Sequence, residues 1–206
     1  MVDAAMFGGS FDPIHLGHLH LIHNVFQKTR YKKFILVPLF ANQFKAGYKA
    51  TNSQDRLNMI NLALEDYKKI YPEDKNIEII VETCEIERKG YSYTYDTVKY
   101  IYKNYDFNSK LGLVMGDDLV PSLTKWYKFD KLKEMVKFVI CNRSNEQLNI
   151  ENIDFESVDN VVFEDASSTI RALVKENRDI SSLVSPGVLD YVKQHELYRS
   201  WTIRKK

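Results

Sequence analysis

The sequence predicts an α/β fold: a Rossmann-like, mostly parallel sheet with helices on both faces. Three observations predict it. Short apolar runs alternate with helix-like segments along the chain, as they do in parallel-sheet proteins. Those runs are continuously apolar, which suits strands buried on both faces. Glycines and polar motifs follow the strands directly, where sheets of this kind bind ligands. The 206 residues fit one medium domain, expected over 1–206.

The elements follow in chain order. Residues 4–7 read as a strand ending at Gly8 and Gly9, and 18–27 as a helix. A second strand covers 34–38 and stops at Pro38. Over 56–67, Leu57, Ile60, Leu64 and Tyr67 share one helical face. A strand at 77–81 precedes a helix at 94–105, with Val98, Ile101, Tyr102 and Tyr105 at helical spacing. Strands at 111–115, 136–141 and 161–163 follow, and helices at 168–176 and 188–194 close the chain. Residues 142–159 are polar with little periodicity and read as an excursion or flexible loop.

Composition narrows the function. The formal net charge is +1, so no global basic field recruits nucleic acid or an anionic membrane. No apolar run approaches the roughly 20 residues that span a bilayer. The first residues lack the apolar core and cleavage site of a signal peptide. Cys84 and Cys141 lie far apart among apolar neighbours and read as buried, reduced thiols. These features suggest a cytoplasmic protein.

The string from Gly8 to His18 follows the first strand and opens the first helix. Paired glycines let backbone approach a ligand closely. A helix N-terminus offers free N–H groups and favours phosphate. His15 and His18 would project toward the same ligand, with Gly17 leaving room between them. A P-loop and a dinucleotide-redox fingerprint are both absent. His15, His18, His20 and His23 crowd nine residues, yet the stretch from Gly8 to Val25 holds one carboxylate, Asp12, and no cysteine, so metal ligation is disfavoured. His20 and His23 are expected on the outer helix surface.

This string resembles the signature of the nucleotidyltransferase superfamily with the HxGH motif. The resemblance implies that His15 and His18 stabilise the triphosphate, and that Gly8, Gly9, Ser10 and Phe11 line the nucleotide. Ser167, Ser168 and Arg171 are similar to the superfamily's second phosphate element. Asp165 and Ala166 depart from its usual aliphatic residue and serine, which leaves open whether Ser167 or Ser168 meets phosphate. His15, His18 and Arg171 are then the catalytic set.

Further motifs resemble bacterial nicotinate mononucleotide adenylyltransferases. They are Ser92-Tyr93-Thr94 with Thr97, Gly116-Asp117-Asp118 followed by Trp126-Tyr127, Arg171 rather than lysine, and the ending Leu197-Tyr198-Arg199. The resemblance implies AMP transfer from ATP to nicotinate mononucleotide, giving nicotinate adenine dinucleotide and pyrophosphate. Gly116 and Asp118 join the ATP set. Tyr93, Thr94, Trp126 and Tyr127 would hold the acceptor, with backbone N–H groups near Thr94 and Tyr127 meeting its carboxylate. Lys45 and Arg143 are candidate phosphate ligands, although Phe44 replaces the histidine usual in the 42–45 loop. Mg²⁺ would enter on the ATP phosphates, with no protein side chain as its ligand. Nicotinamide mononucleotide stays open as an acceptor, as does a homodimer. Phosphopantetheine adenylyltransferase and a catalytically silent nucleotide-binding protein are the competing readings. A nucleic-acid or membrane partner has no support.

Overall fold

The structure, a computed structural model, describes residues 1–40, 50–142, 153–159 and 167–199. The chain forms two compact units that interleave in sequence. The first comprises Met1–Ser10, Leu21–Ala50 and Glu73–Val162, and the second Phe11–His20, Thr51–Pro72 and Phe163–Lys206.

The first unit carries a six-stranded sheet in the order β3-β2-β1-β4-β5-β6. Its strands are β1 (Ala4–Gly9), β2 (Lys33–Pro38), β3 (Glu78–Val81), β4 (Leu111–Gly116), β5 (Val136–Asn142) and β6 (Phe155–Asp159). Every neighbouring pair is parallel. Phe7, for example, pairs with Leu36 on one side and Val114 on the other. Strand order reverses between β1 and β4, and such sheets bind ligands in the crevice beyond that switch point. Gly8 and Gly9 end β1, and Gly116 ends β4. The expected parallel sheet is therefore present, with the motif glycines at the carboxyl ends of its two central strands.

Continuous apolar sequence becomes continuous burial. Phe34 to Val37 in β2 and Phe138 to Ile140 in β5 are fully buried. Met6, Ile35, Leu113 and Ile140 join Val98 and Ile101 in one core cluster. Those last two lie on α4 (Thr94–Asn104). Tyr102, expected on the same face, is 40% exposed, and Tyr105 is half-buried. Three short elements were not expected: α3 (Cys84–Arg88), a 3-10 helix at Asp117–Lys125 and a helix at Phe129–Met135. The first is too short to show a period, and the second contains Pro121.

The expected loop at 142–159 is corrected in part, because Phe155–Asp159 forms β6. Among the described residues this strand pairs only with β5, and of its own residues only Val158 is buried. An edge strand with one neighbour needs little apolar sequence, so the sequence did not announce it. The expected strand at 161–163 lies outside the described residues.

The first helix, α1 (Leu16–Lys28), begins in the second unit and continues into the first. In the second unit α2 (Ser53–Ile70) is capped by Asn52, whose side chain accepts from the Gln54 N–H at 2.7 Å. Its buried face is Arg56, Met59, Ile60, Ala63, Asp66 and Tyr67. Leu57 and Leu64, expected on that face, are only half-buried. Two polar residues sit inside the true face and mask its period. Asp66 is one of them; its Oδ2 accepts from the Gly187 N–H at 2.7 Å, in the first turn of α7 (Pro186–Gln194).

Both cysteines are buried, and they are not joined in a disulfide. Burial, with Glu82 and Glu85 nearby, pushes the Cys84 thiol up to about 12. No described helix is long and apolar enough to cross a membrane.

Candidate active site

Two groups of candidate residues stand out, one in each unit. In the second unit the chain turns at Phe11–Ile14 and enters α1. Phe11 is buried with a left-handed backbone, φ 47°. His15 and His18 flank the helix start. The His15 N–H donates to His18 Nδ1 at 3.2 Å, and the two ring centroids lie 3.7 Å apart. The Phe11 ring meets His18 edge-on at 5.0 Å. A ring nitrogen that accepts an N–H carries no proton, so neutral His18 bears its proton on Nε2. It therefore offers a donor, as an anionic ligand requires. The first turn of α1 contains no acidic residue.

The segment from Ser167 to Arg171 docks on the same turn. It opens α6 (Ser167–Lys175), whose first turn is also free of acidic residues. Arg171 Nη1 donates to the Asp12 carbonyl at 2.6 Å, and Ser167 Oγ donates to the Pro13 carbonyl at 3.0 Å. Asp12 itself is fully buried. Its Oδ1 accepts from the Tyr198 hydroxyl at 2.7 Å and its Oδ2 from the Thr51 N–H at 2.9 Å. Asp12 thus ties four segments of this unit together. Ser168 is exposed, and among the described residues its hydroxyl has no hydrogen-bond partner.

In the first unit, Gly8 is exposed at the end of β1. A Cβ added there would meet nothing nearer than 3.9 Å, so internal packing does not demand glycine. Ser10 and Gly116 are half-exposed, and Asp118 is exposed in the first turn of the 3-10 helix.

The aromatic group lies in this unit too. Tyr93 is the N-cap of α4 and makes no side-chain cap, so the N–H of Thr94 is not capped from within the residue. The Tyr93 and Tyr127 rings lie 4.5 Å apart at 35°, and Tyr95 meets Tyr127 edge-on at 6.2 Å. Tyr93 and Tyr127 are 41% and 43% exposed. Trp126 points differently: it is half-buried against the core, and its indole N–H donates to Ser122 Oγ at 3.3 Å. The open ring of the Trp126-Tyr127 pair is Tyr127.

A clamp that the motifs did not reveal holds this segment. Thr97 Oγ1 donates to buried Glu85 Oε1 at 2.5 Å. Arg88 Nη1 donates to Ser92 Oγ at 2.9 Å and to Thr97 Oγ1 at 3.5 Å. Burial raises the Glu85 pKa, while the Thr97 hydrogen bond and Arg88 oppose the rise. A charged pair spaced three apart just before the Ser92-Tyr93-Thr94 motif was the available signal.

The four clustered histidines do not gather around one point. His20, expected on the outer surface, is half-buried and lies 3.2 Å from the Tyr71 hydroxyl. His23 is also half-buried, with Nδ1 2.9 Å from Asp74 Oδ2 and Nε2 3.7 Å from Glu73. Among the described residues His23, Glu73 and Asp74 form the one group with metal-ligating proximity. Gln27 also donates to Asp74, at 2.5 Å, and the group reads as a hydrogen-bonded ion cluster. Lys45 and Arg143 lie outside the described residues.

The family model described as cytidylyltransferase-like matches residues 6–205, and the chain belongs to that family. A relative from Treponema pallidum subsp. pallidum, named "Probable nicotinate-nucleotide adenylyltransferase", is 33% identical over 210 residues, covering 95% of this chain and 98% of the relative. The protein of the same name from the Nichols strain of Treponema pallidum matches equally. Among solved structures, Plasmodium falciparum nicotinic acid mononucleotide adenylyltransferase complexed with NaAD superposes with a TM-score of 0.76 at 21% identity, covering 96% of this chain and 98% of that one. The same enzyme complexed with APC gives a TM-score of 0.74. At that identity the likeness speaks for the fold.

Proposed function

We propose that this protein transfers AMP from ATP to nicotinate mononucleotide. The carrying observation is the docking of Arg171 and Ser167 onto the Asp12–Pro13 carbonyls, directly before His15 and His18. That turn concentrates cationic and neutral donors at two helix N-termini, which suits a polyphosphate. The relatives at 33% identity carry the name of this activity and match along nearly their whole length.

A phosphate oxygen of the mononucleotide attacks the α-phosphorus of ATP. The new O–P bond forms as the bond to the β-phosphate bridging oxygen breaks, and pyrophosphate leaves with the electron pair. His18 Nε2–H and the Arg171 guanidinium stabilise charge on the phosphoryl oxygens, and His15 supports them. Gly8, Gly9, Ser10, Phe11, Gly116 and Asp118 hold the nucleotide, and Ser168, with its open hydroxyl, is the phosphate-binding serine. Tyr93, Thr94 and Tyr127 hold the pyridine, with Trp126 as the packed support behind Tyr127. Lys45 and Arg143 complete the acceptor set.

Mg²⁺ would come bound to ATP and would supply charge neutralisation at the leaving phosphates. The turn suits an ion brought by the substrate rather than one held by side chains. Its one carboxylate, Asp12, is engaged by Tyr198 and Thr51.

The test is pyrophosphate release from ATP and Mg²⁺ with nicotinate mononucleotide, nicotinamide mononucleotide or 4′-phosphopantetheine at equal concentration. Preference for the first supports the reading. Turnover with phosphopantetheine alone replaces the acceptor, and ATP binding without any release replaces the enzyme by a binding protein.

A further inference from the structure

We propose that Lys128 selects acceptors whose pyridine carries a carboxylate over those that carry the neutral amide, an assignment that rests on the acceptor reading above.

Lys128 is the N-cap of α5 (Phe129–Met135). Its backbone is left-handed, φ 52° and ψ 39°, a region that favours glycine or asparagine. A long cationic side chain is nevertheless kept there. Its ammonium lies 5.0 Å from the Tyr95 ring centroid and 4.8 Å from that of Tyr127. The neighbouring Tyr127 phenol, and then Tyr95 and the Asp96 carboxylate, hold its pKa above the ordinary lysine value, so the group is cationic at neutral pH.

Ring faces attract an ammonium without neutralising it. Among the described residues no carboxylate pairs with Lys128. Three other lysines of this unit are paired with carboxylates, Lys33 with Glu78 at 3.3 Å, Lys133 with Asp130 at 2.9 Å and Lys137 with Asp154 at 3.4 Å, and these pairs leave no charge to spare for a ligand. Lys128 is thus a cation with no ion-pair partner among the described residues, held against the open ring of Tyr127. Tyr127 in turn sits 4.5 Å from Tyr93, beside the uncapped start of α4. The matching ligand is a flat ring bearing an anion. A carboxylate on that ring gains a charge–charge attraction, whereas an amide of the same shape gains only a charge–dipole contact.

The experiment measures kcat and KM for nicotinate and nicotinamide mononucleotides with saturating MgATP, for the full chain and for Lys128→Met, Lys128→Gly and Lys128→Arg. Glycine suits the left-handed backbone and guards against a folding defect. Removing the charge of this exposed group should lower kcat/KM for the acid by roughly fivefold, mainly through KM. The amide should change by less than about threefold, and arginine should restore the preference. Raised salt should weaken the acid preference of the unaltered chain. An equal fall for both acceptors, no change in their ratio, or a starting preference for the amide would each overturn the assignment. An unaltered chain that turns over neither pyridine nucleotide overturns the acceptor reading first, before any variant is compared.

Discussion

The hydroxyl of Tyr198 donates to Oδ1 of Asp12 at 2.7 Å, across 186 positions of sequence. The carbonyl of that same Asp12 holds Arg171 at 2.6 Å. One buried residue therefore links the C-terminal turn to the guanidinium proposed to meet the ATP phosphates. Tyr198 is itself set by local structure: its backbone φ is 64°, and the preceding Leu197 N–H bonds to the Val192 carbonyl at 3.1 Å. Tyr198→Phe deletes one hydrogen bond to a buried carboxylate, a loss of about 1.5–3 kcal/mol. We expect a lower melting temperature and about a tenfold fall in kcat, as the turn loses its fixed position. Thermal melts and steady-state kinetics on the same preparation check this. Unchanged values in both would show that Tyr198 does not anchor the turn.

His18 depends on a shorter link, the His15 N–H that meets its Nδ1 at 3.2 Å. That contact leaves Nε2–H as the donor, so replacements should rank by what they preserve. His18→Ala removes the donor, and kcat should fall by roughly 10² or more, as for other single transition-state donors. His18→Gln keeps an N–H near the Nε2 position and should lose less. KM for ATP should move little in either, because the contact strengthens mainly in the transition state. Near-normal kcat in His18→Ala would remove this residue from the mechanism.

These contrasts explain what was legible in the sequence. The histidine string could be read because strand, glycines and helix start are contiguous, so a local pattern reports a local geometry. The parallel sheet could be read because double burial makes its strands apolar throughout, as at Phe34–Val37. The role of Asp12 could not, since its partners Thr51, Arg171 and Tyr198 lie 39, 159 and 186 positions away. Strand β6 was hidden by its edge position. The true face of α2 was hidden by Arg56 and Asp66, polar residues that are buried with partners. Trp126 and Tyr127 are adjacent aromatics, and only packing shows that the first faces the core and the second is open.

Glu85 gives a stability signature that depends on pH. Burial raises its folded pKa above the ordinary value of 4.5, against the pull of Thr97 and Arg88. A carboxyl with a raised pKa contributes stability below its unfolded pKa, and that contribution is lost as pH rises through the folded pKa. Near neutral pH the buried carboxylate is therefore a cost. Glu85→Gln removes the charge and keeps an acceptor for the Thr97 hydroxyl. We expect the variant to melt about 2–4 °C higher than the parent near pH 7.5, which corresponds to roughly 1 kcal/mol for a chain of this size. The gap should close near pH 4. A gap of the same size at both values would show that shape rather than ionisation sets the difference.

Two glycines with opposite surroundings separate binding from folding. At Gly8 the nearest atoms to an added Cβ are Met6 Cε at 3.9 Å and the Val37 carbonyl oxygen at 4.0 Å. The protein has room, so Gly8→Ala should leave stability within about 0.5 kcal/mol, as a surface change does. If bare backbone at Gly8 is required by the nucleotide, KM for ATP should nonetheless rise, and Gly8→Val should raise it further. At Gly112, within β4, the same Cβ would stand 2.7, 2.9 and 3.0 Å from ring atoms of Tyr31, a fully buried side chain. That ring has nowhere to move, and Gly112→Ala should cost about 1–3 kcal/mol through overpacking. Its KM for ATP should stay near that of the parent wherever the variant is folded. Melting curves and ATP titrations of the two alanine variants form one paired experiment. A loss of stability at Gly8 without a loss of ATP affinity would mean that this glycine serves the sheet, and the nucleotide site would have to be built from the His15–His18 turn and Arg171 without it.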